Sequence, residues 1–263
     1  MEPEPEKIHT LRAHAKLTLS LRVTGVRDDG FHLIDAEMVS LDLHDLLTVD
    51  PDGDGLTITG PYGAGLEANE SNLVIRSLRH KGARAHVHLD KRIPHGGGLG
   101  GGSTDAATVL RWAGAATDQT DLDDAARLGA DIAFCLVGGH GRVRGIGEVV
   151  ERLPHEDLVV TLVIPPLMVS TPAVYGEWDR LGGPTADGPN DLEPAALAVE
   201  PQLVTWRDRI AERIGRFPTL AGSGATWFVV GEHQDALADL VDEGARLVVA
   251  RTVPVEVATN LTP

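Results

Sequence analysis

The sequence predicts a mixed α/β (α+β) chain of two domains, residues 1–155 and 156–263. Three observations lead to this prediction. Segments of alternating apolar and polar residues, typical of strands, dominate the first half of the 263-residue chain. A run rich in glycine, residues 96–102, then passes directly into helix-forming residues. After residue 155 the pattern changes to predicted strands and helices that alternate along the chain.

The strand pattern is clearest in residues 8–24, where leucine and valine alternate with polar residues. The alternation places Lys16 and Thr18 on the face opposite the leucines, or along a cleft. By pattern alone, a solvated lysine is the more frequent outcome. Further strands are predicted at residues 36–43, 46–49, 56–59 and 83–89, and a helix at residues 72–78. His86 and His88 share a strand face, but no third ligand is near, which favours solvent exposure over metal binding.

The stretch Pro94-His95-Gly96-Gly97-Gly98-Leu99-Gly100-Gly101-Gly102-Ser103-Thr104 carries the most chemical information. Glycines allow positive φ and let backbone N–H groups converge on one point. Ser103, Thr104 and Asp105 are N-cap residue types, and the residues after them predict a helix. A bare loop that leads into a helix N-terminus favours anions. The stretch therefore predicts a phosphate-binding site.

Three alternative roles suit this glycine-rich stretch less well. A flexible linker would not lead directly into an apolar helix. The Gly-Lys-Ser/Thr ending of a Walker A loop is missing. Gly96, Gly98 and Gly101 match G-x-G-x-x-G, but a long strand-rich region precedes them, whereas a dinucleotide fold places this loop after its first strand. A nicotinamide-dependent oxidoreductase is thus a weak alternative.

Charge and composition limit the possible partners. The net charge of −16 argues against nucleic acid and anionic membranes, because both need a basic face. Cys135 is the only cysteine, which excludes an intrachain disulfide and fits a reducing cytoplasm. Residues 1–6 are acidic and proline-rich, unlike a signal peptide. The longest apolar run, residues 158–169, is broken by prolines and too short to span a bilayer. We expect a cytoplasmic protein, a monomer or a weak homodimer, that acts on a small molecule.

Asp131 is the one carboxylate in the apolar run of residues 130–137. A buried aspartate is unfavourable unless it is paired or functional. A functional Asp131 and one that caps a short helix are equally compatible with the pattern. Downstream, the sequence predicts strands at residues 158–164, 227–230 and 245–251, helices after Ser170-Thr171-Pro172, at residues 190–214 and at residues 234–242, and a small-residue loop at residues 220–226.

Taken together, these stretches resemble the GHMP superfamily of small-molecule kinases, in order along nearly the whole chain. The matching motifs are Ala15-Lys16-Leu17-Thr18-Leu19, Gly30-Phe31-His32-Leu33, Asn72-Leu73-Val74, the loop from Pro94 to Thr104, Gly129-Ala130-Asp131, Gly145-Ile146-Gly147-Glu148, Val169-Ser170-Thr171, Asn190-Asp191-Leu192-Glu193-Pro194 and Gly222-Ser223-Gly224-Ala225. Within the superfamily, the chain more narrowly resembles the kinases of non-mevalonate isoprenoid synthesis. The acceptor of these kinases is a methyl-erythritol linked to cytidine diphosphate.

The resemblance implies a fold and a set of roles. The fold would combine an N-terminal domain like ribosomal protein S5 domain 2 with a C-terminal ferredoxin-like α/β domain, and the site would lie between them. The glycine loop would bind the phosphates of ATP, and Mg²⁺ would accompany them, with ligands that the sequence leaves unknown. Asp131 would be the base for the acceptor hydroxyl, with Lys16 beside it. The remaining residues would bind substrate or support the site: Phe31 and Tyr175 around the cytosine ring, His32 hydrogen-bonded to it, Thr18 and Thr171 near the acceptor, and the loop of Gly222, Ser223 and Gly224.

The sequence departs from the usual family pattern at four positions. His14 and Ala133 stand where the family usually has proline, Thr18 where it has asparagine, and Phe31 where it has tyrosine. Thr18 has fewer polar groups than asparagine. Two alternatives therefore stay open, a GHMP kinase for another sugar or polyol and a non-catalytic nucleotide-binding paralogue.

Overall fold

The computed structural model describes residues 8–255. The chain forms two sheets of mostly antiparallel strands, with helices packed against them. The acidic N-terminal stretch of the sequence lies outside these residues. The strands are β1 (His9–Val26), β2 (His32–Asp50), β3 (Gly55–Thr59), β4 (His86–Asp90), β5 (His140–Gly145), β6 (Val149–Arg152), β7 (Val159–Ile164), β8 (Thr219–Leu220), β9 (Trp227–Val230) and β10 (Arg246–Arg251). The helices are α1 (Leu73–His80), α2 (Gly101–Trp112), α3 (Gln119–Leu128), α4 (Ala130–Val137), α5 (Thr171–Arg180), α6 (Glu193–Val199) and α7 (Gln202–Ile214).

The first sheet contains β1 to β6 and the second contains β7 to β10. The order in the first is β3-β4-β2-β5-β6, with β1 paired to β2, and the order in the second is β10-β7-β9-β8. Among the strand pairs of residues 8–255, β3 with β4 is the one parallel pair. The mixed α/β class predicted from the sequence is confirmed. Although the sheets divide the chain between residues 152 and 159, the boundary near residue 155 stays a prediction.

Buried side chains of the two sheets pack against one another. Leu17 and Val39 of the first sheet lie in a cluster with Leu162 and Phe228 of the second. Leu99, inside the glycine loop, belongs to the same cluster and is almost fully buried. The loop is therefore anchored by its one apolar side chain at the junction of the two sheets.

Several local predictions were wrong. Residues 36–43 and 46–49 belong to one continuous strand, β2, because the intervening Asp45 is buried and bonded rather than in a turn. The predicted helix at residues 234–242 is only a 3-10 turn, Ala238–Val241. Strand β6 was not predicted. The 83–89 strand begins at His86, and His86 and His88 hydrogen-bond the hydroxyl groups of Thr57 and Thr59 on the neighbouring strand.

Within residues 8–255, no helix combines the length and the apolar character that a membrane crossing requires.

Candidate active site

The glycine loop lines one wall of a cleft of about 810 Å³. Gly96, Gly98 and Gly100 have φ of 71°, 76° and 67°, in the left-handed region. Glycine is needed most at position 98, where a Cβ would overlap the carbonyl oxygen of Ala221 and lie 2.9 Å from that of Gly224. The backbone of the glycine loop thus passes directly against the backbone of the small-residue loop at residues 220–226.

Helix α2 begins inside the glycine run. Its N-cap is Gly100, in the left-handed conformation and without a capping side chain. The N–H groups of the first helical turn are consequently left for a ligand, and the helix dipole adds positive potential there. Ser103, predicted as a cap, lies in the first turn and lines the cleft. This geometry suits an anion such as a polyphosphate.

Thr104 lies at the end of the predicted phosphate-binding stretch but does not line this cleft. Its hydroxyl donates a 2.7 Å hydrogen bond to the carbonyl of His14 on β1, and its side chain is buried. Thr104 therefore fastens helix α2 to the strand that carries Lys16.

A buried triad of Lys91, Asp45 and Asp105 holds the two ends of the loop together. Lys91 Nζ bonds Asp45 and lies 2.6 Å from Asp105 Oδ2 in α2. Asp45 Oδ1 also accepts the N–H of Ile93, at 2.7 Å, and that of Arg92. Burial raises the pKa of Asp105 to about 8, despite the opposing effect of the Lys91 ammonium. The triad was not predicted from the sequence, although charged residues between apolar strand segments were a visible signal.

Lys16 and Asp131, far apart in sequence, form an ion pair at the glycine loop. Lys16 Nζ lies 2.9 Å from Asp131 Oδ2, and the two side chains are 6% and 34% exposed. Nζ also donates to the carbonyl of Gly98 and to the hydroxyl of Thr18, both at 3.3 Å. The pairing of β1 with β2 shifts register on both sides of the Lys16–Thr18 segment. Such irregularities re-aim side chains, here toward the cleft.

Asp131 is the second residue of α4, whose N-cap is Gly129. Its carboxylate lies in the first turn of the helix and against the Lys16 ammonium, so its surroundings are electropositive. The carboxylate is exposed to the cleft, while the residues that follow it in α4 are buried. Asp131 does not act as the N-cap, so its side chain is available to a ligand.

Aromatic side chains also line the cleft. The His32 ring lies 4.6 Å from the Tyr175 ring, centroid to centroid, and meets the Trp178 ring edge-on at 5.5 Å. Phe31 is 56% exposed and also lines the cleft. Among residues 8–255, no ring contact joins Phe31 to Tyr175. Burial raises the pKa of the Tyr175 hydroxyl.

The second small-residue loop contributes Gly222 and Ser223 to the cleft. The Ser223 and Thr171 hydroxyls share a 2.8 Å hydrogen bond. Gly224 is outside the cleft lining and packs against leucines. Asn190 Nδ2 donates to the carbonyls of Leu220 and Gly222, at 2.9 and 2.7 Å, and so fixes the shape of the loop.

The cleft brings together most of the residues selected from the sequence. Those that line it are Lys16, Thr18, Phe31, His32, Pro94, His95, Gly96, Gly97, Gly98, Leu99, Gly100, Gly101, Gly102, Ser103, Asp131, Thr171, Tyr175, Gly222 and Ser223. Thr104 and Gly224 lie behind this surface. An uncapped helix N-terminus, a lysine–carboxylate pair and several aromatic side chains thus share one cavity.

Comparison with known proteins places this arrangement in a class. Residues 70–146 match the family model described as GHMP kinases N terminal domain. A crystal structure of homoserine kinase from Cytophaga hutchinsonii shares the fold, with a TM-score of 0.62 at 16% identity over 97% of this chain and 98% of that one. The fold is that of a GHMP kinase.

Relatives of higher identity narrow the assignment. The 4-diphosphocytidyl-2-C-methyl-D-erythritol kinase of Paracoccus denitrificans is 38% identical over 235 residues, 82% of this chain and 84% of that protein. The enzyme of the same name from Dinoroseobacter shibae is 40% identical over 244 residues, 82% and 83% of the two chains. A crystal structure of 4-(cytidine 5'-diphospho)-2C-methyl-D-erythritol kinase superimposes with a TM-score of 0.72 at 31% identity, covering 92% of this chain and 98% of that one. The chain belongs to the 4-diphosphocytidyl-2-C-methyl-D-erythritol kinase family.

Proposed function

We propose that the protein transfers the γ-phosphoryl group of ATP to the 2-hydroxyl of 4-diphosphocytidyl-2-C-methyl-D-erythritol, giving the 2-phosphate and ADP. The observation that carries the proposal is the 2.9 Å contact between Lys16 Nζ and Asp131 Oδ2, beside the bare N-terminus of α2. Phosphoryl transfer depends mainly on positioning and charge neutralisation. This cleft offers both beside a carboxylate that can accept a proton.

In the proposed reaction, a carboxylate oxygen of Asp131 accepts the proton of the 2-hydroxyl. The hydroxyl oxygen forms a bond to the γ-phosphorus while the bond to the ADP oxygen breaks. Lys16 holds the carboxylate in place and offsets negative charge on the attacking oxygen. The first-turn N–H groups of α2 and the backbone of residues 96–100 hold the phosphates in line.

Mg²⁺ fits the oxygen donors of the cleft, in an arrangement where phosphates provide most of its ligands. The Ser103 hydroxyl and the Asp131 carboxylate are protein oxygens that line the cleft beside the glycine loop. Magnesium retains waters and binds few protein side chains alongside substrate phosphates. When bound, it would neutralise phosphate charge.

The aromatic side chains of the cleft would hold the cytosine ring of the acceptor. Phe31 and Tyr175 provide flat apolar faces, on which a base stacks irrespective of its edge. His32 provides ring nitrogens that can read that edge. Thr18, which is bonded to Lys16, and Thr171, which is bonded to Ser223, also line the cleft and would contact the polyol.

The remaining expectations are part of the same proposal. A net charge of −16 supports a small-molecule substrate rather than nucleic acid as partner. A single buried cysteine is compatible with a reducing cytoplasm. We propose a cytoplasmic enzyme that is a monomer or a weak homodimer, with its domain boundary near residue 155.

The test is an ADP-release assay on purified protein with a panel of acceptors: the cytidyl substrate, homoserine, mevalonate and simple sugars. We expect turnover with the cytidyl substrate. Asp131→Asn keeps the side-chain shape but removes the base, so turnover should fall by roughly 10²- to 10⁴-fold while ATP binding changes little. Turnover of another acceptor alone, or full activity of Asp131→Asn, would contradict the proposal.

A further inference from the structure

We propose that Asp179 is a positioning residue that fixes the tautomer of His32, and that this lets the cleft select cytosine over uracil. The inference rests on the proposed function, because it concerns the base of the proposed acceptor. His32 lies at the start of β2 and Asp179 in the last turn of α5. Both line the cleft.

The contact between the two side chains determines where the ring proton lies. His32 Nε2 is 2.9 Å from Asp179 Oδ1. An ionised carboxylate only accepts hydrogen bonds, so Nε2 carries the hydrogen and donates it. In the neutral ring, Nδ1 then presents a lone pair. Nδ1 has no hydrogen-bond partner within the part of the chain that the structure describes.

Helix α5 also fixes the orientation of the ring. Tyr175 packs on its face at an interplanar angle of 36°, and Trp178 meets it at 82°. The His32 side chain is only 12% exposed. Tyr175, Trp178 and Asp179 therefore act on one imidazole, and Nδ1 is its ring nitrogen without a partner among residues 8–255.

An acceptor at this position distinguishes the two pyrimidines. Cytosine carries an exocyclic amine, a donor, where uracil carries a carbonyl oxygen, an acceptor. The Nδ1 lone pair can accept a hydrogen bond from the amine, whereas it opposes the carbonyl. Buried polar groups left unpaired weaken binding strongly. We expect wild-type kcat/KM for the cytidine acceptor to exceed that for its uridine analogue by about 10- to 100-fold or more.

Asp179→Asn provides the decisive perturbation. The new amide can donate to Nε2, which moves the ring hydrogen to Nδ1 and turns that atom into a donor. The cytidine-to-uridine ratio of kcat/KM should then fall by about tenfold or more. The loss should lie in the KM of the acceptor, with kcat and the KM of ATP within a few-fold of wild type. Glu177→Gln is the matched control on the same helix, because Glu177 pairs with Arg180 instead; its ratio should stay at the wild-type value.

A second measurement needs no turnover. Nitrogen-15 NMR of the imidazole rings at about pH 8 reports which nitrogen carries the hydrogen. The chain has 11 histidines, and His32→Gln identifies the signal of interest by its loss. We expect the Nε2–H form in wild type and in Glu177→Gln, and the Nδ1–H form or a mixture in Asp179→Asn.

The outcomes separate the inference from the function on which it rests. A cytidine-selective enzyme whose ratio is unchanged in Asp179→Asn overturns the inference and leaves the function in place. An Nδ1–H form of His32 in wild type overturns it as well. A wild-type enzyme that phosphorylates neither acceptor refutes the proposed function, and the base selection with it.

Discussion

Gly98→Ala tests whether the backbone of the glycine loop must lie directly against the backbone of the loop at residues 220–226. Gly98 has φ of 76°, which a residue with Cβ adopts at a cost of about 1–2 kcal/mol. The added Cβ would also lie 2.9 Å from the Gly224 carbonyl oxygen and overlap that of Ala221. Because overpacking costs about 1–3 kcal/mol, we expect a total loss of about 2–5 kcal/mol in the free energy of unfolding.

The effect on catalysis follows from the displacement that the loop must make. Ordinary contacts of a Cβ begin near 3.4 Å, so the glycine loop has to move by about 1 Å. A misplacement of about 1 Å in a positioning group lowers the rate on the order of 100-fold. We therefore expect kcat/KM for ATP to fall by about this factor in protein that circular dichroism shows to be folded.

Gly114→Ala is the matched control for backbone strain. Gly114 has φ of 87° but nothing within 4 Å of its added Cβ, and it is not among the residues lining the cleft. It should lose only the strain contribution of about 1–2 kcal/mol, and its kcat/KM should match wild type. Urea unfolding and ADP release measure the two effects. If Gly98→Ala is no less stable than Gly114→Ala and fully active, the loops do not depend on this contact.

Two further variants test the supports behind the cleft. Burial raises the pKa of Asp105 to about 8 in the folded protein, above its unfolded value near 4. Between these two pH values the folded state binds more protons than the unfolded state, so the free energy of unfolding declines as pH rises. Asp105→Asn cannot titrate, so its stability relative to wild type should increase from pH 5 to 8 in urea unfolding; a constant difference would show that Asp105 is ionised throughout. Thr104→Val removes the bond to the His14 carbonyl and should lower stability by about 1 kcal/mol with at most a few-fold change in the KM of ATP. A large rise in that KM would place Thr104 in direct contact with the nucleotide.

Local sequence patterns predicted many of the strands and helices, because each of these elements is formed by neighbouring residues of the chain. Alternation in residues 8–24 predicted β1, and the glycine run predicted a loop that leads into a helix. Residues 234–242 have enough helix-forming residues to predict a helix, yet only a 3-10 turn forms, since tertiary packing can override weak propensity. The strands predicted at residues 36–43 and 46–49 are a single strand, because Asp45 between them is held by Lys91 and the backbone after it, which lie far along the chain.

The site was harder to predict from patterns than the fold. The residue pattern alone predicted a solvated Lys16. It did not decide whether Asp131 caps a helix or is a functional group. Their 2.9 Å contact is long-range, and periodicity carries no information about such pairs. The resemblance to GHMP kinases supplied the pairing. Neither route predicted the bond between His32 and Asp179, since the hydrogen-bond partner of one ring nitrogen leaves no trace in the sequence.

The most direct measurement is a crystal structure with a non-hydrolysable ATP analogue and 4-diphosphocytidyl-2-C-methyl-D-erythritol bound together. We predict the γ-phosphate at the N-terminus of α2 and the acceptor 2-hydroxyl about 2.6–3.2 Å from an Asp131 oxygen. A nucleotide bound away from residues 96–103, or a 2-hydroxyl out of reach of Asp131, would contradict the proposed chemistry.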